Sequence, residues 1–175
     1  AFFRVEVTAP VGMVIAASGS AVDLRAAPDD HLIHTFIAPL MREFALIASR
    51  DYVMLSGEID GIAVNVFYNP AANDTAKDAK AAAHAALRMT KDAVRIFNTI
   101  YGPYPYAELD VVQTHTRAGG IEYPGLFVIA AAQWDADSAY FEFLMAHETA
   151  HQWWYALVSN DQARDPWMDE GLAQY

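Results

Sequence analysis

His147-Glu148-Thr149-Ala150-His151 sets two imidazoles four positions apart, and on a helix residues at that spacing share one face. Both rings can therefore reach a single ion, and neutral imidazole nitrogen at about 2.0–2.1 Å suits zinc. Glu148 lies between the histidines. It projects beside such an ion rather than onto it, where a carboxylate can take a proton from a water at the metal. A catalytic zinc also needs a third protein ligand and an open fourth position. Glu170, nineteen positions after His151, is the candidate, because a short loop between two helices lets the start of the second fold back across the metal face. Trp167 and Leu172 can anchor that second helix, and Gly171 lets it approach closely.

On the N-terminal side of the histidines stands Gly119-Gly120-Ile121-Glu122-Tyr123-Pro124. Two adjacent glycines let backbone run close to a ligand. Glu122 follows on the expected edge strand of a cleft, where a carboxylate can hold a cationic group. The histidines themselves fall in a helix expected over Ser138 to Val158, with Asp137 or Ser138 as its cap, and Trp153 and Trp154 are expected to pack that helix. A loop through Asn160-Asp161 leads to the last helix, with Asp165 as cap and Pro166 at the first position, where a missing N–H costs nothing. Asp169 is a candidate to orient a ligand.

Farther out, a long Ala-rich helix is expected over Asp74 to Tyr101, capped by Asn73 or Asp74 and stopped by Gly102-Pro103. Leu87, Val94, Phe97 and Tyr101 recur along it at helical spacing. Before it, Tyr52 to Leu55 and Ala63 to Tyr68 read as two strands around an Asp60-Gly61 turn, with Ser56-Gly57 as a break. After it, Leu109 to Thr114 and Phe127 to Ala131 read as strands. Residues 1 to about 48 are strand-and-turn material: Phe3, Val5 and Val7 alternate with polar neighbours, and Met13 to Ala17 and His31 to Ala38 are further strands. His31, His34, His84 and His115 are read as structural or solvent-facing.

Composition narrows the function classes. The 175 residues carry 22 acidic against 11 basic side chains, a net charge of -11, which disfavours nucleic acid and anionic membrane surfaces as partners. There is no cysteine, which excludes disulfides, thiolate nucleophiles and thiolate metal sites. The longest apolar run, Leu126 to Ala132, falls far short of the roughly 18–20 residues that span a bilayer. No targeting segment is read within the chain, so the compartment, cytoplasmic or extracytoplasmic, stays open. The chain begins in mid-alternation without Met and ends a few residues into a helix, so the expectation is a piece of a longer protein.

Three elements together carry a family resemblance. H-E-x-x-H, eighteen intervening residues, then Glu170 within Trp167-Met168-Asp169-Glu170-Gly171-Leu172-Ala173 is similar to the zinc aminopeptidases of the aminopeptidase N group, a gluzincin family. His151-Gln152-Trp153-Trp154 looks like the family's continuation after its second histidine. Gly119-Gly120-Ile121-Glu122 resembles the family's Gly-x-Met-Glu-Asn exopeptidase motif, with Ile121 and Tyr123 standing where that motif has Met and Asn. The resemblance spans about residues 49–175, while residues 1–48 look like the tail of the family's N-terminal β-domain.

The resemblance implies an α+β chain: the C-terminal part of a β-sandwich-like domain over 1–48, then the front half of a thermolysin-like catalytic domain over 49–175. It implies one Zn2+ per chain held by His147, His151 and Glu170, with Glu148 as general base. Glu122 would receive the free α-amine of a peptide substrate, and the Gly119-Gly120 backbone would line the substrate strand. The family's oxyanion-stabilising tyrosine and its helical C-terminal remainder would lie after Tyr175, so the 175-residue piece alone is expected to be nearly inactive. Two other readings of the same residues are a relative that hydrolyses an epoxide and a non-catalytic binding scaffold. Intact His147, Glu148, His151 and Glu170 argue against the scaffold. Side-chain preference, metal occupancy and oligomeric state are not fixed by the sequence.

Overall fold

The computed structural model describes residues 1–71 and 78–174. Its central element begins at Asp60-Gly61, whose φ angles of 51° and 78° make the tight reversal that twisted strands require. Strand β6 (Val53–Ile59) thereby folds back on β7 (Ile62–Tyr68), pairing Ile59 with Ile62 and Val53 with Tyr68. Ser56-Gly57 does not break β6, contrary to the sequence reading. The Ser56 hydroxyl donates across the pair to Asn65 Oδ1 at 2.8 Å. A Cβ on Gly57 would lie 3.3 Å from the Leu87 methyls, so the glycine is where a helix lies close over the strand.

That helix is α1 (Ala79–Ile100), which carries the chain from β7 to the parallel strand β8 (Glu108–Thr114). Asp78 caps it, its Oδ1 accepting from the N–H groups of Lys80 and Ala81 at 2.9 and 3.1 Å. The caps expected from the sequence, Asn73 and Asp74, lie outside the described residues. The buried stripe of α1 is mostly alanine, with Ala82, Ala83 and Ala86 fully buried, and small side chains let the helix sit close to the sheet. His84 faces solvent, as expected. Strand β10 (Leu126–Ala130) adds parallel to β8, and β9 (Gly120–Tyr123) closes the edge antiparallel to β10. The five-stranded order is β6-β7-β8-β10-β9. Val64, Val66, Leu109, Val111, Phe127 and Ile129 fill its core, so β9, with Gly120 and Glu122, is left at the rim.

Helix α2 (Ala139–Ala150) is capped by Ser138 and ends eight residues before the expected Val158. His151 is its C-cap, and the chain then widens: Ala156 N–H donates to His151 O and Val158 N–H to Trp153 O, at 3.0 and 2.9 Å, each spanning five residues. The cause is Trp153. Its ring packs among Phe97, Tyr101 and Tyr104, and its indole N–H donates to Gly102 O at 2.9 Å, which draws the backbone under the end of α1. Asp165 makes no side-chain cap, also contrary to expectation. Pro166–Met168 forms a 3-10 turn, and the short helix α3 (Glu170–Gln174) begins at Glu170, whose N–H donates to Asp169 Oδ1 at 2.9 Å.

The first 49 residues form β1 (Phe3–Pro10), β2 (Val14–Ala17), β3 (Ser20–Ala27), β4 (His31–Ala38) and β5 (Leu46–Ser49). They pair as β1-β4-β3 and β2-β5. Strand β3 was not legible in the sequence because six of its eight residues are exposed and no alternation marks it.

These strands lean on the central sheet through a buried carboxyl. Asp110 accepts from Ala17 N–H at 3.3 Å and from Asn65 Nδ2 at 3.0 Å. Burial, and then the neighbouring Glu108, hold its carboxyl well above the ordinary 3.8, against the pull of its bonds from Asn65 and Ala17. The folded state therefore binds this proton more tightly than the unfolded chain. The stability so linked is full below the ordinary value and is lost as pH rises through the folded one. Urea unfolding between about pH 4 and pH 8 is expected to show a shallower decline for Asp110→Asn than for the parent. An unchanged slope would remove Asp110 as the source.

Candidate active site

The four-residue spacing on α2 brings His147 Nε2 and His151 Nε2 to 3.1 Å of each other. Helix α3 then presents Glu170 Oε2 at 3.3 Å from the first and 3.8 Å from the second. His151 is fully buried, and its Nδ1 hydrogen-bonds the Trp154 carbonyl oxygen at 3.2 Å. That contact makes Nδ1 the donor and turns the Nε2 lone pair toward the shared point. His147 is held below its ordinary value by burial first and by His151 second, against Glu170, the Ala173 backbone and Glu122, so it too offers a lone pair. The arrangement is two imidazole nitrogens and one carboxylate oxygen facing a common centre. A tetrahedral ion with bonds of about 2.0–2.1 Å has ligand–ligand edges of about 3.3–3.4 Å. The observed spacings bracket that edge, so the residues fit zinc in donor type and in size.

Glu148 sits beside this centre, one of its carboxylate oxygens within 4.8 Å of a His151 ring nitrogen. It is 3% exposed, and its Oε2 has no hydrogen-bond partner among the described residues. Burial first, then Glu122 and Glu170, push its carboxyl up to about 9. Gly120 is what admits it: a Cβ there would lie 2.1 Å from Glu148 Oε1 and 2.4 Å from Cδ. Gly119 is less confined, with the Tyr140 hydroxyl 3.0 Å from the place of a Cβ.

Glu122 sits across from Glu148, and Glu122, Glu148 and His151 each bring an oxygen or nitrogen within 4.8 Å of the others. Because it shares His151, this second trio is part of the same site. Tyr123 and Ile121 face the opposite way, packing near Phe67, Val112, Leu126 and Val128. They line a separate cavity of about 460 Å³ with Phe44, Leu46 and His115. Alternation along β9 thus removes Tyr123 from the Glu122 face.

The residues singled out from the sequence are therefore near one another, while Asp169 is bonded to the Glu170 N–H rather than to a histidine. Two glutamines were missed. Gln152, fully buried, donates to Tyr123 O at 3.0 Å and accepts from Gly125 N–H at 2.9 Å. Gln162 donates to Glu122 Oε1 at 2.6 Å. Gln152 was visible only as the residue after the second histidine, and nothing in the sequence marked Gln162.

Residues 85–175 match the Peptidase family M1 domain. The whole chain is similar to aminopeptidase N of Canis lupus familiaris, 25% identical over 191 residues that make up 19% of that protein. Over 71% of the chain it is similar to endoplasmic reticulum aminopeptidase 2 of Homo sapiens, 30% identical across 13% of that protein. The same share of the chain is 26% identical to endoplasmic reticulum aminopeptidase 2 of Bos taurus, across 14% of it. The chain thus spans about a fifth or less of the length of these curated relatives.

Proposed function

Because the chain belongs to peptidase family M1, whose domain matches residues 85–175, we propose that its protein is a zinc-dependent aminopeptidase that hydrolyses N-terminal residues from peptides. The observation that carries the proposal is the convergence of His147 Nε2, His151 Nε2 and Glu170 Oε2 within 3.1–3.8 Å beside the buried carboxyl of Glu148. The ligands would be those three atoms, one zinc per chain. Bound zinc would supply Lewis acidity, polarising the scissile carbonyl and making a nearby water more acidic.

The chain's own groups do the rest. Glu148 receives the proton of the attacking water at a carboxylate oxygen and delivers it to the departing amine, one residue serving as base and then acid. The hydrogen bond from His151 to the Trp154 carbonyl keeps the imidazole from rotating away. Glu122 places a carboxylate where the substrate's ammonium stops, which restricts cleavage to the first peptide bond. The backbone of Gly119 and Gly120, at the sheet edge, lines the path of the substrate strand. In this reading residues 49–175 are the front of a catalytic domain, and residues 1–48 the end of a β-domain before it.

Metal binding tests the reading directly. Equilibrium dialysis against zinc is expected to give one ion per chain. His151→Ala and Glu170→Ala are each expected to weaken it more than about 100-fold, since even outer partners of zinc ligands are worth 10–100-fold. Stoichiometric, tight zinc in both variants would put the metal elsewhere and end the proposal.

A further inference from the structure

We propose that Gln162 is a specificity-determining residue of the amine site, completing with Glu122 a two-acceptor seat for the substrate's ammonium group. The inference rests on the aminopeptidase reading of Glu122 and adds to it a residue from the loop between the second and third metal ligands.

The geometry is specific. Gln162 Nε2 donates to Glu122 Oε1 at 2.6 Å, a short bond of the charge-assisted kind. It engages one oxygen of Glu122 and so fixes the plane of the carboxylate. A primary amide that gives its N–H to the carboxylate keeps its carbonyl oxygen as an acceptor. The pair thus offers two acceptors from two elements, β9 and the loop. An ammonium carries three N–H donors and can satisfy both. An acylated amine has one N–H and no charge, and a hydrogen or methyl in its place leaves both acceptors unpaired, the kind of mismatch that discriminates strongly.

The loop that carries Gln162 is held in place by its own bonds. Asn160 Nδ2 donates to Asp165 O at 3.0 Å, and Asp165 N–H to Asp161 O at 2.7 Å. Ala163 N–H donates to Asp161 Oδ1 at 3.1 Å. Arg42 donates to Asn160 O and Tyr155 O, both at 3.2 Å, and its guanidinium lies 4.0 Å over the Tyr155 ring. The Tyr155 hydroxyl in turn donates to Glu43. A glutamine on a free loop would lose much rotamer freedom on meeting Glu122, whereas here its backbone is already fixed.

The test uses two zinc-directed probes of equal shape: leucine hydroxamate, which has an α-amine, and 4-methylpentanohydroxamate, which lacks it. Both are titrated calorimetrically into the zinc-loaded protein, its Gln162→Ala variant and its Gln162→Met variant, which keeps the side chain's length without its hydrogen bonds. The parent is expected to prefer the amine. That preference is expected to fall about tenfold in both variants, the worth of a hydrogen bond to a charged group, while the amine-free probe keeps its affinity within about twofold. A parent that binds neither probe, or binds both equally, overturns the reading of the site and this inference with it. A parent preference that survives in both variants overturns the role of Gln162 alone. Equal losses for the two probes overturn it too, because a residue that only holds the loop in place would not distinguish them.

Discussion

Glu148→Gln in the intact enzyme is expected to leave zinc bound and to lower peptide turnover by about 10²–10⁴-fold, the range that a positioned general base contributes. The amide matches the carboxylate in shape but cannot accept the proton of the attacking water. Metal affinity should hardly change, because the three converging atoms belong to His147, His151 and Glu170. The same substitution has a second readout that does not depend on turnover. Burial, Glu122 and Glu170 raise the Glu148 carboxyl to about 9 in the ion-free protein, so ionising it near neutral pH is unfavourable, and Gln removes that burden. Thermal unfolding of the ion-free variant should therefore occur at a higher temperature than the parent's. Turnover near the parent level would eliminate Glu148 as the base, whatever the stability.

Gly120→Ala is expected to reduce turnover nearly as far, with every candidate chemical group still present. Its new methyl would stand 2.1 Å from Glu148 Oε1, 2.4 Å from Cδ and 2.7 Å from Cγ, distances at which something must move. Glu148 is fully hemmed in, so either its side chain swings out of reach of the water or β9 shifts, taking Glu122 with it. Displacements of about 1 Å at a reacting centre commonly cost on the order of 100-fold, and forced overpacking costs about 1–3 kcal/mol of stability. A double-mutant cycle identifies the cause. Adding Glu148→Ala to Gly120→Ala should recover most of the lost stability, because the methyl then has room. An active, fully stable Gly120→Ala enzyme would mean that carboxylate and strand are not in contact in the working protein.

The parts of this site that could be read from the sequence depend on local periodicity. His147 and His151 meet because a helix returns to the same face after four residues, whereas Glu170 reaches them across a long stretch of turns between Ala150 and α3 rather than the short loop expected. Where the reading failed, the deciding contact was remote in sequence. Helix α2 stops at Ala150 because the Trp153 indole is claimed by Gly102, 51 positions away. Gly57 reads as a strand break until Leu87 is seen lying over it. Gln162 is one polar residue in a polar loop, and only the approach of β9 gives it Glu122 as a partner, 40 positions distant. Gly120 was read as room for a ligand, yet its nearest claimant is the Glu148 side chain. The mixed sheet was legible from its apolar runs, whereas β3, almost wholly exposed, carried no pattern to read.

The buried amide of Gln152 also bears on how the molecule opens. Turns between edge strands ordinarily fray with little free energy, and their N–H groups exchange with solvent independently of the core. The turn after Tyr123 is different, because its Gly125 N–H is bonded to a fully buried side chain on the residue next to His151. Releasing that N–H breaks its bond to an amide that also holds Tyr123 O, on the segment that continues from His151 into the aromatic cluster around Trp153. The rim of the cleft and its floor therefore belong to one cooperative unit. Thermal motion that loosens the Glu122 strand must also disturb the histidines, so the two halves of the site stay in register or lose it together.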